Sequence, residues 1–126
     1  MQQEEIESYL SEVQECVRQG NRHIEMNANR QDNLDLFNIY VIDEAKADEI
    51  ILSLTALDFS EIRQNDHAGY EHERLYIFGK EVNLLERYGS EEKLVPLYIK
   101  FNKLDTQYLI IISFHKQKFP FTYYFR

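Results

Sequence analysis

The sequence predicts an α+β protein in which N-terminal helices pack on one face of a four-stranded, mainly antiparallel sheet. In the first half of the chain, apolar residues recur at steps of three and four, which is typical of amphipathic helices. In the second half the period changes to two, in short segments rich in Tyr, Phe, Ile and Val. Helices followed by strands favour a layered fold whose second sheet face is free for a ligand.

The first helix is predicted over residues 4–19, and its apolar stripe comprises Ile6, Tyr9, Leu10, Val13, Cys16 and Val17. Gly20 supplies a C-terminal stop. Asp43 is expected to cap another helix over residues 44–54. Residues 34–40 form an apolar segment whose type stays open, and residues 24–26 are compatible with a short strand.

The segment of residues 57–70 lacks periodicity and collects Asp, Asn, His and Gly, so it is expected to be an exposed connection. Four strands are predicted after it, with strand-like length and composition. They span residues 74–82, 96–101, 107–114 and 121–125. Their short connections favour an antiparallel meander.

Length and composition predict one domain over residues 1–126. The shares of 44% hydrophobic and 29% charged residues are ordinary for a globular protein. No apolar run approaches the roughly 20 residues that span a bilayer, and the N-terminus has no signal-peptide pattern, so a cytoplasmic location and no membrane partner are expected.

Neither a metal nor a cofactor is expected. Cys16 is the only cysteine and falls on a helical stripe, which favours a small buried hydrophobe over a nucleophile. The four histidines show no ligand spacing such as HExxH. No dinucleotide or P-loop fingerprint is present, which also weighs against catalysis on a small molecule with such a cofactor.

Charge is divided unevenly along the chain. Residues 1–73 carry 17 acidic and 5 basic residues, a net of −12, whereas residues 74–126 carry 5 and 9, a net of +4. A basic, aromatic-rich half can hold a polyanion even though the whole chain has a net charge of −8. The C-terminal half is therefore where a binding site is expected.

Strand alternation places a polar group of residues on the free sheet face. In the strand of residues 96–101, Tyr98 and Lys100 face away from the core, and the expected core set is Leu97, Ile99 and Phe101. In the next strand Ser113 and His115 would lie near them, and the expected core set is Tyr108, Ile110, Ile112 and Phe114.

Further residues are expected to complete this group. Lys80 at the end of the first long strand is one, although Gly79 can mark a bulge that shifts the alternation. Tyr124 or Arg126 in the last strand is another. The alternative is that each residue is an ordinary polar surface group without a function, since lysines also prevent edge strands from pairing with other chains.

These residue types suit metal-free RNA cleavage. His115 can accept or give a proton, Lys100 and Lys80 can neutralise the charge that develops on phosphorus, and Tyr98 can hold a base or assist proton transfer. Contacts to the RNA are expected from Lys116, Lys118, Tyr124 and Arg126. The expected ligand is single-stranded RNA.

The order of segments resembles the MqsR-type toxins of bacterial type II toxin-antitoxin modules, which have a RelE-like fold. The segments that carry the resemblance are an N-terminal helix from Ile6, EIILSLTALDF, LYIFGKEV, LYIKF, LIIISFH and the closing FPFTYYF. The resemblance implies a metal-independent endoribonuclease that cleaves messenger RNA and is neutralised by a cognate antitoxin.

The family's site residues transfer in part. Its Tyr-x-Lys strand matches Tyr98 and Lys100, and the basic residue after its Ser-Phe pair falls on His115. A family Lys corresponds to Glu61 and a family Gln to Glu73, so neither role transfers, and Lys80 is the candidate for the missing charge. The rival hypothesis is a non-enzymatic interaction module of the same fold that uses its acidic helical half.

Overall fold

The computed structural model describes residues 1–126 and is α+β, with three α-helices and one mixed five-stranded sheet. The helices are α1 (Gln3–Arg18), α2 (Gln31–Ile39) and α3 (Glu44–Leu52), with a 3-10 turn at Ala56–Asp58. The strands are β1 (Arg22–Ile24), β2 (Phe59–Gln64), β3 (Arg74–Leu85), β4 (Glu92–Lys103) and β5 (Leu109–Lys116). None of the helices combines the length and apolar character needed to span a bilayer.

The helices follow their local signals. Gly20, just beyond α1, has a φ of +74°, a conformation that glycine adopts without strain. The Asp43 carboxylate accepts the backbone N–H of Lys46 at 2.9 Å, which confirms the predicted cap of α3. The ambiguous segment proves to be α2, and α3 ends two residues earlier than predicted, at Leu52.

The sheet has five strands in the order β1-β5-β4-β3-β2, so the prediction of four strands was wrong. β1 lies parallel to β5, and the other neighbouring pairs are antiparallel. β2 occupies residues 59–64 of the segment 57–70, which was expected to be an exposed connection. It is an edge strand with charged, outward side chains and an irregularity between Phe59 and Glu61, so its sequence shows no clear period of two.

The predicted strand of residues 121–125 was also wrong. This segment belongs to residues 117–126, which we call the C-terminal strap, and it crosses the free sheet face to reach the edge strand β2. Its backbone bond to β2 runs from the Tyr124 N–H to the Phe59 carbonyl at 2.9 Å. Every second side chain of residues 121–126 is half-buried, so the sequence alternates as in a strand although the segment forms no hydrogen-bonded ladder with a neighbouring strand.

The core lies between the helices and one face of the sheet. The inward residues predicted for β4, Leu97, Ile99 and Phe101, are fully buried, which confirms the alternation in that strand. Cys16 is buried within this core as expected. Four buried aromatic rings fill its centre: Phe59, Phe78, Phe101 and Phe114.

A bulge in β5 changes which residues face the core. Lys100 pairs with Ser113 but Phe101 pairs with Ile111, so Ile112 is an extra residue. The buried residues of β5 are Leu109, Ile111 and Phe114. Of the predicted core set, Phe114 was therefore correct, and Tyr108, Ile110 and Ile112 were wrong. The bulge lets Ile111 and Phe114 both point inward, which leaves Ser113 and His115 on the free face.

Asn33 of α2 forms hydrogen bonds with the bulge of β5, just beyond the point where the pairing of β1 with β5 ends. Its side-chain nitrogen donates to the Glu25 carbonyl at 2.8 Å and to the Ile112 carbonyl at 3.0 Å. Its oxygen accepts the Phe114 N–H at 2.9 Å. The side chain is buried, and it bonds three backbone groups beside the point where β1 ends.

We expect Asn33→Leu to lower the free energy of unfolding by about 3 kcal/mol, because three backbone groups, one buried and two partly buried, lose a hydrogen-bond partner. Asn38→Leu on the exposed side of the same helix is the matched control and should change stability by less than about 0.5 kcal/mol. Urea denaturation of both variants measures the difference. Equal stability of the two variants would show that Asn33 does not hold the bulge.

Candidate active site

The free face of the sheet carries a cleft of about 490 Å³ between α2, the strands and the C-terminal strap. Residues from β2 to β5 form its floor, and the strap forms one wall. The lining comprises Asp32, Ser60, Glu61, Arg63, Ile77, Tyr98, Lys100, Ser113, His115, Lys118, Phe119, Pro120, Phe121 and Thr122. Three of the four predicted catalytic residues, Tyr98, Lys100 and His115, therefore share one cleft.

Tyr98 and His115 form a stacked pair in this cleft. They lie opposite each other on β4 and β5, with ring centroids 5.2 Å apart and planes 10° from parallel. The Nδ1 atom of His115 lies 2.8 Å from the Lys116 carbonyl oxygen. Because a carbonyl only accepts, Nδ1 carries the hydrogen, and in the neutral ring the lone pair is on Nε2. His115 is thus arranged to accept a proton at Nε2.

Lys100 is a half-buried cation diagonally adjacent to His115 on the same face. No ion pair of the structure involves it. Burial lowers its pKa, and the nearby charges of Arg30 and Arg63 lower it further, although Asp66 opposes them. A lysine without a carboxylate partner is available to an incoming anion.

The phenol of Tyr98 stays protonated in this setting. Burial is the main reason that its pKa is raised; Glu61 raises it further, whereas Arg63 opposes the change. A protonated phenol can donate a hydrogen bond to an oxyanion or present its ring to a base.

Two ion pairs lie at the rim of the cleft. Arg63 Nε contacts Glu61 Oε1 at 2.7 Å, and Lys118 Nζ contacts Asp32 Oδ2 at 2.6 Å. The hydrogen bond from Lys118 lowers the pKa of Asp32. Each side chain in these pairs is more than 40% exposed, so each pair contributes only about 0–1 kcal/mol, and a phosphate can replace either carboxylate at small cost.

The other predicted site residues lie outside the cleft. Lys80 points to the opposite sheet face, where its Nζ is 3.6 Å from the buried carboxylate of Asp58. Arg126 binds the same carboxylate at 3.0 Å, and Tyr124 packs on Phe59. Lys116 is exposed beside a neighbouring groove. The prediction that Lys80 lies in the site was wrong, because β3 keeps its register with β4 through Gly79 and has no bulge there.

Gly79 instead makes room for the strap. A Cβ on Gly79 would lie 2.5 Å from Cε1 of Phe121, whose ring packs edge-on against Tyr98 with centroids 6.1 Å apart. Ser60 Oγ donates to the Thr122 carbonyl at 2.6 Å and fixes the next part of the strap. Apart from the glycine, no local pattern predicts this contact.

Neither a protein-family model, nor a curated protein, nor a solved structure matches this chain. Strand alternation predicted Tyr98, Lys100 and His115 on this face, and Lys118 was predicted separately as an RNA contact. Arg63 was missed, because β2 was not recognised as a strand.

We expect Lys100→Met to raise the free energy of unfolding at neutral pH. The lowered pKa of Lys100 means that the folded state disfavours its charged form. That penalty is complete below the folded-state pKa and disappears as the pH rises towards the ordinary lysine pKa of about 10.4. The stability gain of the variant over the wild type should thus shrink in alkali.

Urea denaturation at neutral and alkaline pH measures this gain. Lys93→Met is the control on the same strand, because Lys93 is exposed and pairs with Glu86 at 2.7 Å, and it should give no gain. A Lys100→Met variant less stable than the wild type at neutral pH would contradict the expectation.

We expect Gly79→Ala to destabilise the fold by about 1–3 kcal/mol, because the new methyl group overlaps the Phe121 ring. In a Phe121→Ala background the same substitution should cost much less, since the obstructing ring is gone. A double-mutant cycle by urea denaturation measures this coupling. Equal costs in both backgrounds would show that Phe121 does not rest on Gly79.

Proposed function

We propose that this protein is a metal-independent endoribonuclease of the toxin type, which cleaves messenger RNA by attack of a 2′-hydroxyl on the adjacent phosphate. The observation that carries the proposal is the juxtaposition of His115, Tyr98 and an unpaired Lys100 on one cleft floor. It supplies a proton acceptor, a hydrogen-bond donor and a positive charge, which are the three requirements of this reaction.

His115 is the general base of the proposed reaction. Its Nε2 lone pair accepts the proton of the 2′-hydroxyl, and the O2′ atom then forms a bond to phosphorus. The Nδ1–H bond to the Lys116 carbonyl holds the ring in the required tautomer and orientation, and it stabilises the imidazolium that forms. Stacking on Tyr98 restricts the ring further.

Lys100 neutralises the negative charge that grows on the phosphorane-like transition state. Its lowered pKa also makes it the cleft residue best suited to give a proton to the 5′-oxygen as the P–O5′ bond breaks. The products are a 2′,3′-cyclic phosphate and a 5′-hydroxyl, and the protonated His115 and neutral Lys100 exchange protons with water to restore the starting state.

The rim residues are assigned to the RNA backbone. Arg63 and Lys118 lie on opposite sides of the cleft and exchange their weak carboxylate pairs for flanking phosphates. An open cleft of this size favours single-stranded RNA, whose bases are free to turn away from each other.

The proposal includes a RelE-like fold relationship. It is supported by the antiparallel order β5-β4-β3-β2 and by the core that α1 and α3 form with one sheet face. A messenger RNA substrate implies action in the cytoplasm. We further propose that a cognate antitoxin neutralises the activity, with the acidic helical half as a contact surface for basic segments.

A non-enzymatic interaction module of the same fold is the second candidate. Two observations favour it: Glu61 lies inside the cleft, and both rim cations already have carboxylate partners. In that case the acidic helices would bind a protein partner, and RNA would not be cleaved at any protein concentration.

Cleavage of a fluorescent single-stranded RNA tests the first candidate. We expect His115→Ala to lower the rate by about 10²–10⁴-fold and Lys100→Met by about 10²–10³-fold. EDTA should leave the rate unchanged, because Lys100 rather than a metal neutralises the charge. A substrate with 2′-deoxyribose at every position should not be cleaved.

The matched controls are His23→Ala, on an exposed strand position outside the cleft, and Lys93→Met on β4. Both should cleave at the wild-type rate. Wild-type protein that does not cleave RNA, but that recovers a stable protein partner from a pull-down, would replace the first candidate by the second.

A further inference from the structure

Phe119 is an exposed aromatic side chain at the rim of the cleft. It is 80% exposed, although it lines the cleft together with the rest of the strap wall. The other aromatic residues of the strap each pack against another ring, whereas Phe119 stacks on none. Single exposed aromatic residues are common on protein surfaces, but this ring lies at the rim of a cleft that holds Lys100 and Lys118, where a bound ligand would meet it.

The backbone around Phe119 is fixed on both sides. Before it, Gln117 bonds β4 twice, through its N–H to the Pro96 carbonyl at 2.8 Å and through its side chain to the Leu97 carbonyl at 2.9 Å. After it, Pro120 has a restricted φ and limits Phe119 to extended conformations. Phe121 then rests on Gly79. The backbone that carries the ring is therefore held in place before any ligand arrives, which lowers the entropic cost of binding.

The neighbouring charges indicate what this ring would meet. Lys118 precedes Phe119 in the chain and points into the same cleft, and Lys100 lies on its floor. Proteins that bind single-stranded nucleic acids usually place a cation on a phosphate and, next to it, an aromatic ring on which a base stacks. Phospholipids and phosphopeptides also carry phosphate, but neither presents a planar base beside each phosphate to stack on an aromatic face.

We propose that Phe119 is a stacking platform for an unpaired nucleobase of the RNA, next to the scissile phosphate. This inference rests on the proposed function and adds to it a base subsite formed by the strap. Because every base has an aromatic face, the platform favours single strands over duplexes without selecting one base.

Binding of a non-cleavable oligonucleotide, with 2′-O-methyl groups throughout, tests the platform by fluorescence anisotropy. We expect Phe119→Ala to weaken binding by about 5- to 150-fold, and Phe119→Trp to bind at least as well as the wild type. Tyr88→Ala is the matched control, because Tyr88 is 97% exposed and lies outside the cleft, and its affinity should not change. With cleavable RNA, Phe119→Ala should raise KM and leave kcat nearly unchanged.

An oligonucleotide with a run of abasic sites sharpens the test. The wild type and Phe119→Ala should bind it equally, since no base is left to stack. If Phe119→Ala binds the intact oligonucleotide as tightly as the wild type while Lys100→Met does not, the platform is wrong and the proposed function stands. If the wild type does not bind the oligonucleotide at all, both are wrong.

Discussion

The geometry of the cleft depends on a buried side chain of the helical layer, Asn33. Strict alternation along β5 would turn His115 into the core together with Ile111. The extra residue Ile112 shifts the alternation of inward and outward side chains by one position. Asn33 forms hydrogen bonds with backbone groups at this bulge and at the end of β1. A polar residue of α2 therefore supports the bulge that places His115 on the free face.

The two faces of the sheet meet opposite physical requirements. The inner face is filled with aromatic and aliphatic side chains. Its buried Asn33 and Asp58 side chains are bonded, whereas the Tyr9 hydroxyl is buried without a hydrogen-bond partner. The outer face keeps Lys100 half-buried without a carboxylate, a state that costs stability. A chain selected only for folding would place an apolar residue there. The unpaired lysine is for that reason the strongest sign that this face serves a ligand.

Sequence reasoning predicted most of the architecture from local signals. The helix stripe, the Gly20 stop and the alternation around Tyr98 depend on neighbouring residues, and they were confirmed. The errors came from long-range effects. The course of the strap depends on the space that Gly79 leaves for the Phe121 ring, and the two residues are far apart in sequence. The edge strand β2 lacks an apolar period because one of its faces is open to water.

The division of charge along the sequence differs from its division in space. Arg30 and Arg63 belong to the acidic half of the chain, yet their charges act on Lys100 together with the basic half. The exposed carboxylates of α1 lie on the other side of the sheet, beyond a helix about 10 Å thick. At physiological ionic strength the Debye length is about 8 Å. The proposed binding of a phosphate would thus depend on the cations and on the carboxylates of Asp32 and Glu61 in the cleft, and the net charge of −8 would act mainly on the rate of encounter.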